Sequence, residues 1–266
     1  MQLSEQQLNH FETFGFLVFP QLLSSAEMER YSEEFDAGMA AWLDGEEFDG
    51  RQRHYATLME EASPFIAGLA DDPRFGDAAE QLFGREGIAI AVDGSYMVGD
   101  TRWHPDTASL DYRGIKFCIY SDRLGRGTGA LRVIPGSHRE PLHGLIAPDP
   151  GEAYGIPPEE LPAHVFESEP GDVLAFDVGA WHASFGGAAG RRQGVIVYYE
   201  DPETPAAAGA VVSQMRGNHQ IFAGRKRRMY GDHWRSLPGR RRQRWLRRLD
   251  ELGVLDTPTE TDRKIP

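Results

Sequence analysis

From about residue 87 to residue 200 the chain is a series of short apolar runs broken by glycine, proline and aspartate, with no helical stretch between them. The runs are 88–92, Gly114 to Tyr120, Ala130 to Ile134, Asp172 to Asp177 and Gly194 to Tyr199. A doubly wound parallel sheet needs helical crossovers between its strands, so consecutive strands without helices predict an antiparallel sandwich or barrel. The proline-rich stretch 141–162 interrupts this pattern and reads as a long loop, placed to act as a lid around Ala153 to Ile156.

Helical patterns flank the β segment. Ser4 with Gln7 forms one capping box ahead of Leu8, Phe11 and Phe14, and Ser24 with Glu27 forms another ahead of Met28, Tyr31, Phe35, Met39 and Trp42. Both aromatic stripes are read as core-facing helix sides. Between them 15–20 is long enough for one strand, and 71–74 opens a third helix that stops near Gly84. Beyond Glu200 a Pro/Ala/Gly linker leads into a basic, helical tail, whose last helix opens near Ser236 and Pro238, carries Trp245, Leu249 and Leu252, and ends before Gly253. The expected organisation is one domain, 1–266: an N-terminal helical part (1–86), a β core (87–200) and the tail (201–266).

The chain has 266 residues, enough for one sizeable core and for an enzyme acting alone. Its single cysteine, Cys118, excludes an internal disulfide, a thiolate zinc site or an iron–sulfur cluster held by one chain, and points to a reducing, cytoplasmic compartment. No apolar run is long enough for a membrane span, and the first residues lack the layout of a secretory signal. The net charge of −13 opposes general affinity for phosphate backbones. Residues 225–248 run against it, with eleven arginines and lysines against Asp232 alone. Three readings apply to this stretch: a solvated helix that neutralises an acidic body, an oligomer contact, or a single-strand-binding patch with Tyr230, Trp234 and Trp245 as stacking platforms.

The chemistry-bearing candidates are few. His104 and Asp106 stand two apart on an extended segment, so both side chains reach the same face. His182 follows the strand 172–177, and Arg192 stands ten residues further on, at the entrance to 194–199. Two histidines and one carboxylate on a β scaffold form the facial triad of non-haem iron(II) oxygenases, and a guanidinium on a neighbouring strand suits the remote carboxylate of a dicarboxylic acid. Arg191 is the competing residue, because a one-residue slip exchanges strand faces. His138 reads as structural, His143 and His164 pair with no carboxylate, and His10, His54, His219 and His233 read as surface or packing residues. The glycines of 125–129 read as a hairpin, since a phosphate loop needs a lysine and a helix start.

Four features occur in order: Phe11 to Val18, His104-Pro105-Asp106, Gly129 to His138, and His182-Ala183-Ser184 followed by Arg192. Over roughly residues 4–200 they resemble the phytanoyl-CoA dioxygenase family of Fe(II)- and 2-oxoglutarate-dependent oxygenases. The resemblance implies a double-stranded β-helix core of jelly-roll, cupin-like form, mainly β with flanking helices. It also implies Fe(2+) held by His104, Asp106 and His182, with 2-oxoglutarate and O2 as cosubstrates. Arg192, assisted by Ser184, would bind the far carboxylate of 2-oxoglutarate. Cys118 falls where some relatives carry a tryptophan beside the cosubstrate. Asp106 fills the ligand position that related halogenases leave to chloride, which implies hydroxylation or another oxidation. Proximity suggests Tyr96, Trp103, Tyr112 and Lys116 as substrate contacts. The expected partner is a small molecule, with neither membrane nor nucleic acid, for a monomer or homodimer. The alternatives are a non-catalytic cupin-like binding protein and a nucleic-acid-binding protein working through 225–248.

Overall fold

A computed structural model describes residues 1–107, 109–146, 150–222 and 228–256. Both capping boxes form: Ser4 starts α1 (Glu5–Phe14) and Ser24 starts α2 (Ser25–Trp42), with β1 (Phe16–Phe19) between them. Gly15 closes α1 in the left-handed conformation at φ 80°, and a side chain there would run into the His138 ring. Next come β2 (His54–Thr57), α3 (Pro64–Leu69) and α4 (Pro73–Phe83), the last capped by Asp72 and ended by left-handed Gly84. Phe11 is buried, but Phe14 is 41% exposed, so the α1 stripe is narrower than its spacing predicts. The α2 stripe is buried from Met28 to Trp42, as expected.

The β region contains β3 (Gly87–Met97), β4 (Thr101–His104), β5 (Gly114–Tyr120), β6 (Leu131–Val133), β7 (His164–Phe166), β8 (Val173–Asp177), β9 (His182–Ser184) and β10 (Arg191–Glu200). All pairings are antiparallel. A six-stranded sheet runs in the order β1-β8-β5-β10-β3-β2, and a four-stranded sheet in the order β4-β9-β6-β7. The two form the jelly roll. One face of the larger sheet, carrying Phe117, Ala175, Ile196 and Tyr198, packs against the helices in the main core. The opposite face, carrying Cys118, Tyr120, Leu174 and Phe176, meets Leu131, Val133 and Phe166 of the smaller sheet. Both faces of β5, β8 and β10 are thus covered, so their central residues are apolar on both faces instead of alternating, Lys116 of β5 excepted.

The stretch 141–162 is not a plain loop, for it holds the short helices α5 (Leu142–Leu145) and α6 (Pro150–Tyr154) and a 3-10 turn (Pro158–Glu160). The linker after Glu200 is in fact α7 (Pro205–Phe222), an 18-residue helix followed by α8 (Asp232–Ser236) and α9 (Arg240–Glu251). Alanines 206–208 supply helix propensity, and Thr204 accepts from the Ala207 amide at the helix start.

The basic stretch is docked. Arg241 pairs with Asp77 and Glu80, Arg242 with Asp71, Arg244 with Glu80 and Glu86, and Arg248 with Asp201. Tyr230, Trp234 and Trp245 are buried, Trp234 and Trp245 stack at 6°, and the Trp245 indole N–H donates to Gly87 at 2.8 Å. These rings are shut off from a nucleic-acid strand. Arg225, Lys226 and Arg227 lie outside the described residues.

Candidate metal centre and its cavity

His104 ends β4 and His182 begins the neighbouring strand β9, where the two are paired in register. Their rings lie 4.4 Å apart, centre to centre. Asp106 follows two residues after His104, and its amide donates to the Val178 carbonyl, which turns the carboxylate inward. Asp106 Oδ1 lies 3.9 Å from His104 Nε2 and 3.7 Å from His182 Nε2. Each histidine Nδ1 contacts a backbone carbonyl, that of Arg102 for His104 at 2.7 Å and that of Ala180 for His182 at 2.9 Å. A carbonyl only accepts, so each Nδ1 carries the hydrogen and each Nε2 keeps its lone pair toward the shared point.

The electrostatics suit metal binding. Burial pushes the His182 imidazole down to about 4, so it is a neutral ligand at pH 7. Burial alone would raise Asp106, but the Lys116 ammonium is the largest of the influences that outweigh it and hold the carboxyl at about 2. Lys116, on β5, reaches across from the larger sheet to Asp106 Oδ2 at 2.5 Å. Three ligand atoms within 4.8 Å of one another converge on one point and would draw together by about 1 Å around one ion, since ligands on a face of an octahedron with bonds of about 2.1 Å stand about 3 Å apart. A donor set of two imidazoles and one carboxylate suits ferrous iron.

The triad opens into a cavity of about 280 Å³ between the two sheets. Arg191, Gln193, Val195, Val197 and Tyr199 of β10 all line it, every second residue facing inward. Arg192 therefore points the other way. It pairs with Asp122 at 3.0 Å and Asp36 of α2 at 3.2 Å, outside the cavity. Of the two arginines it is Arg191, and not Arg192, that stands in the cavity wall. The Arg191 guanidinium is buried against three carbonyls, those of Ala188 (3.2 Å), Gly129 (2.8 Å) and Gly99 (2.5 Å), and pairs with no carboxylate among the described residues. Gly129 and Gly187 make room for it, because a Cβ at either position would collide with the guanidinium. Ser184 also lines the cavity, and its buried hydroxyl has no hydrogen-bond partner among the described residues. Cys118 is buried in the cavity wall, one register step from Gln193, whose amide donates to the Tyr120 hydroxyl at 2.8 Å.

Of the four suggested substrate contacts only Lys116 lines the cavity. Tyr96 lies on the outer face of β3 and donates to Asp36 at 2.9 Å. Trp103 faces away from His104 into a small cluster with Trp181, its N–H on the Pro158 carbonyl. Tyr112 packs on Tyr199 in the main core. The described part of 141–162 contributes nothing to the cavity wall. Three contributions were missed: Tyr55 of β2 with Arg53 just before it, Asp93 from β3, and Gln214 with Asn218 from α7. Gln214 donates to the Asp106 carbonyl at 3.1 Å, so α7 braces the ligand segment. The spacing of Gln214 and Asn218, four residues apart on one helix face, was the available signal.

A jelly roll with a two-histidine, one-carboxylate triad in its inter-sheet cavity defines the class of non-haem iron oxygenases. The phytanoyl-CoA dioxygenase (PhyH) family model matches residues 11–193, and the chain belongs to that family. It is 25% identical over 218 residues to an ectoine dioxygenase of Sphingopyxis alaskensis, covering 69% of this chain and 71% of that protein. The structure of AviO1 from Streptomyces viridochromogenes superposes with a TM-score of 0.59 at 19% identity, over 78% of this chain and 99% of that one. EctD from S. alaskensis with bound Fe gives 0.57 at 23% identity, over 74% of this chain and 77% of that one. These likenesses establish the fold, and the family places the protein among the oxygenases.

Proposed function

We propose that the protein is an Fe(II)- and 2-oxoglutarate-dependent dioxygenase that hydroxylates a small-molecule metabolite and releases succinate and carbon dioxide. The carrying observation is the convergence of His104, Asp106 and His182 on a cavity that also holds the buried, carboxylate-free Arg191 guanidinium. Bound iron would supply dioxygen activation coupled to decarboxylation of 2-oxoglutarate, with one oxygen atom entering the substrate C–H bond and the other the succinate.

The chain's own residues prepare that chemistry. His104 and His182 present Nε2 toward the shared point, each ring fixed by the carbonyl behind its Nδ1. Asp106 supplies the anionic ligand, oriented by Lys116 and by Gln214 on its backbone. Three of the five N–H groups of Arg191 are spent on carbonyls, and the rest, with the Ser184 hydroxyl, would hold the distal carboxylate of 2-oxoglutarate. The cavity lies between the sheets, with His182 buried in its wall and the His104 side chain 41% exposed.

Anaerobic Fe(II) titration followed by aerobic succinate assay tests this reading. The wild-type chain should bind one iron and release succinate from 2-oxoglutarate, and Asp106→Ala should lower iron affinity by at least about tenfold and abolish succinate release. A wild-type chain that binds iron and 2-oxoglutarate yet forms no succinate, alone or with a panel of metabolites, would be a cupin-like binding protein.

A further inference from the structure

Asp93 stands on β3 opposite Val195 of β10, in the wall of the metal cavity. Its Oδ1 is closed off from solvent and has no hydrogen-bond partner. An uncompensated carboxylate in such a place costs folding free energy, and a fold gains nothing by keeping it. The nearby cations are engaged elsewhere. Lys116 lies on Asp106, Arg191 on three backbone carbonyls, and Arg53 on the Asp100 carbonyl and the Thr101 hydroxyl. Burial pushes the Asp93 carboxyl up to about 7, against the pull of Lys116. No residue of the described chain completes this group.

We propose that Asp93 is the specificity-determining residue of the cavity, and that its carboxylate selects a substrate carrying a protonated nitrogen, an ammonium or amidinium, on an apolar frame. This rests on the proposed oxygenase reading and names the substrate class of the same site. The surroundings match that chemistry. Tyr55 and Tyr199 line the cavity and supply aromatic surface, while Ile90, Ala91 and Val197 supply apolar surface. Asp93 and Arg191 lie on the same wall, two register steps apart along β10, through its partners Val195 and Arg191 itself. One end of the cavity thus suits the dicarboxylate cosubstrate and another suits a cation, so the two ligands do not compete for one charge.

The test compares matched probes by calorimetry on the iron-loaded protein with 2-oxoglutarate, held anaerobic: benzamidinium against benzamide, and cyclohexylmethylammonium against cyclohexylmethanol. Wild type should prefer each cation by about tenfold or more, and Asp93→Asn should bring that preference to within about twofold. Asp93→Ser repeats the test with a smaller side chain, and near-UV circular dichroism checks that each variant is folded. A preference for the cation that survives in both variants, or no preference in wild type, overturns the proposal. Iron and 2-oxoglutarate affinities and succinate release, measured on the same wild-type preparation, separate that outcome from failure of the oxygenase reading, which would remove them as well.

Discussion

Arg191 and Arg192 differ by one strand position and by everything that surrounds them. Arg191 is buried in the cavity wall without an anionic partner, whereas Arg192 sits between two acids on the helix side, its side chain 24% exposed. If Arg191 grips 2-oxoglutarate, Arg191→Ala should weaken cosubstrate affinity by roughly a hundredfold, because a buried, charge-assisted contact of about 2–5 kcal/mol is lost. Arg191→Lys should recover only part of it, since an ammonium cannot reproduce the planar fork. Arg192→Ala should leave affinity within about twofold and cost at most about 1 kcal/mol of stability, the usual worth of part-exposed pairs. Calorimetric titration of 2-oxoglutarate into the three variants checks this, and equal losses for Arg191→Ala and Arg192→Ala would sink it. The triad itself was legible in the sequence because His104 and Asp106 are two apart and His182 closes a recognisable strand. Asp93 was not legible, for an aspartate within an apolar run carries no mark of what it faces.

β10 shows why the arginine position could not be fixed from the sequence. Where one face of a strand meets water, polar and apolar residues alternate and reveal which way each points. Here Val195 and Val197 face the cavity while Ile196 and Tyr198 face the helices, so both sets are apolar. The one marker of parity is Gly194. Its helix-facing hydrogen stands where a Cβ would collide with the Tyr31 hydroxyl of α2, so even-numbered positions of β10, Arg192 among them, belong to the helix side. Gly194→Ala should therefore destabilise the fold by about 1–3 kcal/mol through overpacking. Tyr31→Phe removes the atom in the way, so the double variant should regain a measurable part of that loss in urea denaturation. Strict additivity of the two changes would place Tyr31 elsewhere. Three of the four helices of the first 86 residues, α1, α2 and α4, were readable for the opposite reason, since Ser4, Ser24 and Asp72 each mark a start by a local hydrogen bond, whereas the short α3 has no such cap and escaped. α7 escaped because its first turn is proline, alanine and glycine, residues equally at home in a linker, and only its packing on the Asp106 segment makes it a helix with a purpose.

At the scale of the molecule, the charge asymmetry resolves into an internal contact. Arg241, Arg242, Arg244 and Arg248 of α9 pair with Asp71, Asp77, Glu80, Glu86 and Asp201, so an acidic body and a basic tail neutralise one another across the back of the larger sheet. Part-exposed pairs contribute little each, and the tail is held chiefly by its buried rings. Trp245 is 1% exposed and Trp234 fully buried, and a buried tryptophan truncated to alanine costs about 3–5 kcal/mol. Against a total stability of roughly 5–15 kcal/mol, losing both rings together with Tyr230 and α7 removes most of the margin. Trp245→Ala should shift the urea midpoint accordingly, and a chain ended at Glu200 should fail to give a cooperative transition. The full chain should also show no salt-sensitive retention of single-stranded nucleic acid at physiological ionic strength, because the rings that would stack on bases are in the core. A fragment 1–200 that melts cooperatively with native near-UV circular dichroism would mean that the jelly roll closes without α7 and α9. Gln214 would then be an accessory to the ligand segment instead of part of its foundation.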